Sequence, residues 1–307
     1  MPTPHLLIPF AASHAPGCQL AMRQLALPQL DALLARLTLV EPGAATQTQF
    51  ALPHERALAR HYGLPEYPVP WAAWQARDTQ AAWAFVTPCH WHVGADHVTL
   101  RHPADLLLDE ADSRALLDIL VPWCAEDGIT LHYDQPARWL ACGAMFEDME
   151  TASPECVLGR DLRAWLPRAG QASTWQRLHS EMQMLLYTHP FNEVRTARGL
   201  LPVNAFWLHG AGRLPDLPAP VSPPDMPDAL LHAALREDWP AWQQAWQALD
   251  SGPIARLHAH VAAGGAARLT LCGERAACTW HTAPRNLRQR IRSMFQSTCF
   301  ADLAKNL

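Results

Sequence analysis

Apolar positions along the chain switch repeatedly between a short-run or alternating pattern and a helical one, which predicts interleaved strands and helices. Residues 5–12 form a short apolar run that ends in Ser13-His14-Ala15-Pro16-Gly17, a buried strand followed by a turn. Leu25, Leu30, Leu33, Leu34 and Leu37 recur at helical spacing across 20–39, interrupted by Pro28. A short helix over 53–62 is stopped by Gly63 and Pro65. Strands follow at 82–87 and 97–100 with 93–96 as the turn between them. A helix over 107–126 closes at Gly128, and 129–133 pairs with 138–141 through Asp134-Gln135-Pro136. The clearest helix covers 172–189, with Trp175, Leu178, Met182, Leu185, Leu186 and His189 on one stripe. A second helix at 192–198 ends at Gly199, and Pro202 introduces a strand at 203–208.

The segment 213–228 breaks this rhythm. It holds six prolines, so it must run extended. Beyond it the pattern predicts a helix over 229–236 and a second from the Asp238 cap carrying Trp239, Trp242 and Trp246. A helix through 258–263, a hairpin of 268–271 with 277–280 and a last helix from Pro284 complete it. The expected architecture is an α/β main domain over 1–212, with a mixed central sheet flanked by helices. A Pro-rich connector at 213–228 joins it to a smaller α+β C-terminal unit at 229–307.

Composition narrows the function classes. Of 307 residues 49% are hydrophobic and 17% charged, a folding composition. A net charge of −5 argues against nucleic acid as the main partner. Lys305 is the only lysine, so the remaining cations are arginines, which fork onto phosphate or carboxylate. None of the eight cysteines forms a Cys-x-x-Cys pair, and most have apolar neighbours, as reduced buried thiols do. With no basic leader and no long apolar segment, the expected setting is the cytosol, away from membranes.

The densest chemical signal is 189–213. Asn192, Arg195 and Arg198 are spaced to share a helix face, Asn204 opens the next strand, and His209-Gly210-Ala211-Gly212-Arg213 closes it. A Gly-x-Gly turn can present backbone N–H groups to an anion. Asn192, Arg195, Arg198, Asn204, His209, Gly210, Gly212 and Arg213 together suit a small anionic, even phosphorylated, ligand. The same side chains equally suit helix caps and ion pairs with Glu181 and Glu193 at a sheet edge. A fainter cluster, His90, His92 and Asp96, has metal-ligand chemistry but no second cluster to complete a site. Arg285, Arg288, Arg290 and Arg292 suit a solvated helix face, and Trp239, Trp242 and Trp246 a core or else a protein-partner groove. Walker, Gly-x-Gly-x-x-Gly, Gly-x-Ser-x-Gly and His-Glu-x-x-His motifs are missing from the sequence.

The stretches 181–195, 198–204 and 206–213, with 87–100 and 138–140, resemble the proteobacterial regulatory proteins of the RpfE type. Those are grouped with cofactor-independent phosphoglycerate mutases of the archaeal type, in the alkaline-phosphatase superfamily. The resemblance implies a phosphoryl-transfer fold with two metals and a metal-bound Ser nucleophile. Those enzymes carry Asp-Gly after the first strand, where this chain has Ala12-Ser13-His14, and an Asp/His block near the C-terminus that this chain lacks. The expectation is therefore a non-catalytic or regulatory protein without a cofactor. The alternative is a divergent enzyme holding two divalent ions such as Mn or Zn through His14, His90, His92, Asp96 and His189.

Overall fold

The computed structural model describes residues 3–42, 50–283, 300–304 and 307. In chain order the elements are β1 (His5–Ile8), α1 (Pro16–Met22), α2 (Pro28–Leu34), β2 (Thr38–Glu41), α3 (Pro53–Tyr62) and α4 (Trp71–Ala76). Next come β3 (Ala82–Cys89), β4 (Trp91–Val93), β5 (Val98–Leu100), α5 (Glu110–Glu126), β6 (Thr130–Gln135) and β7 (Arg138–Cys142). The middle of the chain adds α6 (Pro154–Val157), α7 (Ala172–Tyr187), α8 (Pro190–Ala197) and β8 (Ala205–Arg213). The last elements are α9 (Ala229–Leu235), α10 (Trp239–Leu249), α11 (Ala255–Ala262), β9 (Arg268–Cys272), β10 (Ala277–His281) and α12 (Phe300–Leu303). Proline occupies the start of α1, α2, α8 and α10, where its missing N–H costs nothing. Pro28 therefore begins a helix and does not interrupt one.

The fold is mixed α/β, as the periodicity predicts, but its strands form three sheets among the described residues, not one central sheet. Two compact units hold them. The first comprises Met1–Gln47, Leu52–His61 and Pro220–Leu307; the second comprises Thr48–Ala51 and Tyr62–Ala219. This differs from the expected division into 1–212 and 229–307. The reason lies in one pairing: β1 runs parallel to β9, His5 against Arg268 through Ile8 against Leu271.

In the first unit the strand order is β1-β9-β10-β2. Leu7, Ile8, Leu269 and Leu271 are fully enclosed, and Leu30, Leu33, Trp242 and Trp246 are buried in the core of the same unit. Asp238 caps α10 through the Ala241 N–H, as expected. The Trp242 indole N–H donates to the Phe10 carbonyl at 3.0 Å. Trp242 and Trp246 are thus core residues, unavailable as a partner groove. The segment 214–228 contains no helix; it bends at Pro215 and Asp216, and Asp225 forms a parallel bridge with Leu6.

In the second unit an antiparallel sheet has the order β6-β7-β3-β8, and β4 pairs with β5 in a small ribbon. The turn expected at 93–96 closes that ribbon, with β4 as a strand the alternation did not reveal. Helices α5 and α7 bury Leu116, Leu120, Leu178 and Met182 in one core with Trp139 and Phe206. The described cysteines are free thiols, six of them buried. Among the described residues no helix is long and apolar enough to cross a membrane. The helix expected from Pro284, with its arginines, lies outside the described residues.

Trp242→Ala should destabilise the first unit by about 3–5 kcal/mol, since it empties an enclosed aromatic site. Trp242→Phe should cost less, about 1–3 kcal/mol, chiefly by leaving the Phe10 carbonyl unbonded. Urea unfolding of the two variants beside the parent checks the order.

Candidate functional site

The residues of 189–213 fall into separate places, and the side chains of Asn192, Arg195 and Asn204 are bonded within the protein. His189 caps α8, its ring accepting from the Phe191 N–H at 3.1 Å. Asn192 is buried and bonds three backbone groups: its amide donates to the carbonyls of Leu186 and Val203, and its oxygen accepts from the Val203 N–H. It fixes the end of α7 to the entry of β8.

Arg195 is 1% exposed. Its guanidinium donates to the Leu201 carbonyl at 3.0 Å, to the Leu106 carbonyl and to Asp112 Oδ2 at 3.2 Å. Burial draws its pKa below the usual guanidinium value, while the Asp112 charge opposes that shift. Arg198 is half exposed and reaches the same Asp112 oxygen at 3.3 Å. The partner is Asp112, in the first turn of α5. It is neither Glu193 nor Glu181, which pairs with Arg177.

Asn204 clasps Trp91, accepting from its N–H at 2.7 Å and donating to its carbonyl at 3.0 Å. At roughly 3.3 Å per residue, the nine residues of β8 set Arg213 on the order of 25 Å from this end. There Arg213 donates to the Gln80 carbonyl at 2.7 Å and pairs with Glu147 at 3.3 Å. The expected anion pocket of Asn192, Arg195, Arg198, Asn204, His209, Gly210, Gly212 and Arg213 is not assembled.

The Gly-x-Gly element has a different task from presenting N–H groups to an anion. His209 faces Phe85 and Gly212 faces Trp83, so β8 carries one more residue than β3 across this step. Gly210 sits at φ +58, the left-handed conformation of a glycine bulge. A Cβ there would lie 3.0 Å from the Phe85 ring and 3.1 Å from Trp71. The Ala211 N–H donates to Thr151 Oγ1 at 3.2 Å. His209 lies against Phe85 and bonds Thr87 Oγ1 at 3.1 Å; burial, then the Arg138 charge, push its pKa down to about 3.

The metal expectations also separate. His90 Nδ1 bonds the Pro202 carbonyl at 2.9 Å, while His92 and Asp96 are exposed on the ribbon. In the first unit, Ser13 donates to Glu274 at 2.8 Å and accepts from the Ala15 N–H at 3.0 Å. The His14 N–H donates to the other Glu274 oxygen at 3.0 Å. Among the described residues no three His, Cys, Asp or Glu side chains are grouped to hold a metal ion. They do not fit the two-metal centre that the resemblance implies.

One cleft in the second unit has the character of a binding site, and no motif in the sequence pointed to it. It measures about 240 Å³ and lies between α7, β8 and Trp91. Its walls include Trp91, Trp175 and Phe206, its rim Ser180 and Gln183, and no Asp, Glu, Lys or Arg lines it. His179, 6% exposed, also lines it, with the Trp91 ring centred 4.7 Å away. The Phe206 N–H donates to His179 Nε2 at 3.1 Å, which leaves the proton on Nδ1. Burial lowers the His179 pKa to about 4, so the ring is neutral near pH 7. The available signal was a polar residue set within the Trp175, Leu178, Met182 stripe.

No protein-family model matches the chain. Over 71 residues, 23% of its length, the chain is 32% identical to a 2,3-bisphosphoglycerate-independent phosphoglycerate mutase of Methanothrix thermoacetophila. That stretch is 18% of the mutase, so the chain matches less than a fifth of the curated relative. A cofactor-independent phosphoglycerate mutase from Thermoplasma acidophilum aligns at 13% identity and TM-score 0.36, over 91% of this chain and 89% of that one. The PH0037 protein from Pyrococcus horikoshii aligns at 12% identity and TM-score 0.47, over 100% and 98%. The chain thus bears a weak likeness to cofactor-independent phosphoglycerate mutases.

Arg195→Ala leaves the Leu106 and Leu201 carbonyls without their donor and Asp112 with Arg198 alone, and should cost about 3–5 kcal/mol. Arg198→Ala, at the surface, should cost under about 1 kcal/mol. Equal costs in chemical denaturation would contradict the assignment. His179 and His209 have folded pKa values below the unfolded value near 6.5. The unfolded chain therefore takes up protons that the folded chain refuses as pH falls from about 6.5 towards 4, and stability drops over that window. The denaturation midpoint should be lower at pH 5 than at pH 7, and the fall shallower in His209→Gln.

Proposed function

We propose that the chain is a non-catalytic, regulatory protein of the RpfE type, built on a phosphoglycerate mutase-like framework and acting by ligand binding. The observation that carries this reading is the commitment of the donors at 189–213. Asn192, Arg195 and Asn204 spend their polar atoms on the protein's own backbone and on Asp112. A phosphate could recruit them only by displacing these bonds, at the cost of unsatisfied buried groups. Such side chains can either hold a ligand or hold the frame, and their partners here favour the frame.

A second reading, a divergent metal-dependent phosphotransferase, draws on the 71-residue likeness to a mutase. The two are separated by one assay. Purified protein, with Mn²⁺ and separately with Zn²⁺, should not interconvert 2- and 3-phosphoglycerate above a heat-inactivated control. Neither phosphoglycerate should raise the melting temperature. Metal-dependent turnover abolished by chelation would establish the second reading in place of the first.

A further inference from the structure

We infer that the cleft between α7, β8 and Trp91 is a binding site for a small, neutral, planar ring compound carrying a hydrogen-bond acceptor such as a ring carbonyl. The inference rests on the ligand-binding reading above and supplies its ligand class.

The walls set the shape. Trp91 and Trp175 line the cleft beside His179, with ring centres 4.7 and 6.1 Å from the imidazole. An aromatic lining gains most from a flat, apolar body packed against it. The volume, about 240 Å³, is below the roughly 300–1,000 Å³ of sites for drug-sized molecules, which points to one or two fused rings.

The polar requirement comes from His179. Its Nε2 is occupied by the Phe206 N–H, so Nδ1 carries a proton, and no residue among those described accepts it. Nδ1 is not among the fully buried side-chain atoms that lack a partner, so it stays open to solvent, and an acceptor on the ligand can take the place of water there. The charge requirement comes from what is missing. No Asp, Glu, Lys or Arg lines the cleft, so a charged ligand would lose its hydration with no opposite charge to replace it.

The site is held from behind. Asn204 clamps the Trp91 backbone by two hydrogen bonds, and Gln183 donates to the Asn204 carbonyl at 3.1 Å. Trp91 therefore stands in place before any ligand arrives, the preorganisation that lowers the ordering cost of binding.

The test uses the full chain and three probes: 2-quinolone, which is flat, neutral and bears a carbonyl; naphthalene, which lacks the acceptor; and quinoline-2-carboxylate, which is charged. Quenching of tryptophan fluorescence and ligand-observed NMR report binding. The expected order is 2-quinolone at least tenfold tighter than naphthalene, with the carboxylate weakest. His179→Phe should erase the preference for 2-quinolone over naphthalene. Should that variant fold poorly, Ser180→Trp fills the mouth from an exposed position and should weaken every probe at least tenfold. Tighter binding of the carboxylate, equal affinity of 2-quinolone and naphthalene, no binding at all, or indifference to Ser180→Trp would each overturn the inference. Those failures leave the non-catalytic reading standing, because phosphoglycerate turnover alone decides that. Turnover together with 2-quinolone binding would instead sustain the cleft as a ring-compound site and remove the non-catalytic reading.

Discussion

A guanidinium withdrawn from water must find acceptors for its fork and a compensating charge, or the fold that buries it fails. Arg195 meets that condition with two carbonyls and Asp112, and the arrangement of the second unit follows from it. The Leu106 carbonyl lies just before α5, Asp112 lies in its first turn, and the Leu201 carbonyl lies between α8 and β8. One side chain thus ties three stretches of chain that no local propensity would bring together. An eight-residue helix such as α8 is too short to persist by itself. Its position depends on Arg195 and on Asn192, which stitches the end of α7 to Val203.

From that fixed point the strand β8 takes its register. Asn204 repeats the logic of Asn192 at the entry of the strand, bonding the Trp91 backbone through both its N–H and its carbonyl. Further along, the bulge at Gly210 lets β8 pass close against Phe85 and Trp71 while Ala211 turns its N–H to Thr151. Asn192, Asn204 and Gly210, which read in the sequence as anion-binding elements, instead shape the strand and its entry. What the shaped strand leaves open is the cleft at its start, where the Phe206 N–H sets the tautomer of His179.

Much of this organisation was legible in the sequence wherever it is local. The helices α3, α5, α7 and α8, the hairpins β6–β7 and β9–β10, and the lack of helix in the Pro-rich segment follow from periodicity, capping and proline chemistry within windows of a few residues. The division into units was not legible, because it rests on β1 pairing with β9, His5 against Arg268, across most of the chain. A short apolar run carries no mark of its partner. The fate of Arg195 was hidden for the same reason: Asp112 is 83 positions distant, and glutamates nearer in sequence offered equally good chemistry. The glycines were ambiguous in kind, since a left-handed glycine serves a bulge and an anion nest alike. His179 was concealed by its setting, a polar residue within the apolar stripe that surrounds it.

Likeness to a mutase carries little chemical weight in such a frame. A motif whose asparagines and arginines hold elements together is needed by the fold whether or not any reaction takes place, so its presence alone says nothing about phosphoryl transfer. Chemistry would have to be carried by side chains with unspent valence facing a common space. Between β1 and α1, Ser13 and the His14 backbone are both bound to Glu274, which closes the turn into α1. At 189–213 the donors turn inward. In the cleft beside β8, by contrast, the His179 Nδ1–H belongs to a buried, neutral ring and has no acceptor among the described residues. A group of that kind recognises an acceptor; with a pKa near 4 it has little capacity to take up a proton at neutral pH. The physical character of the site is therefore neutral and largely apolar.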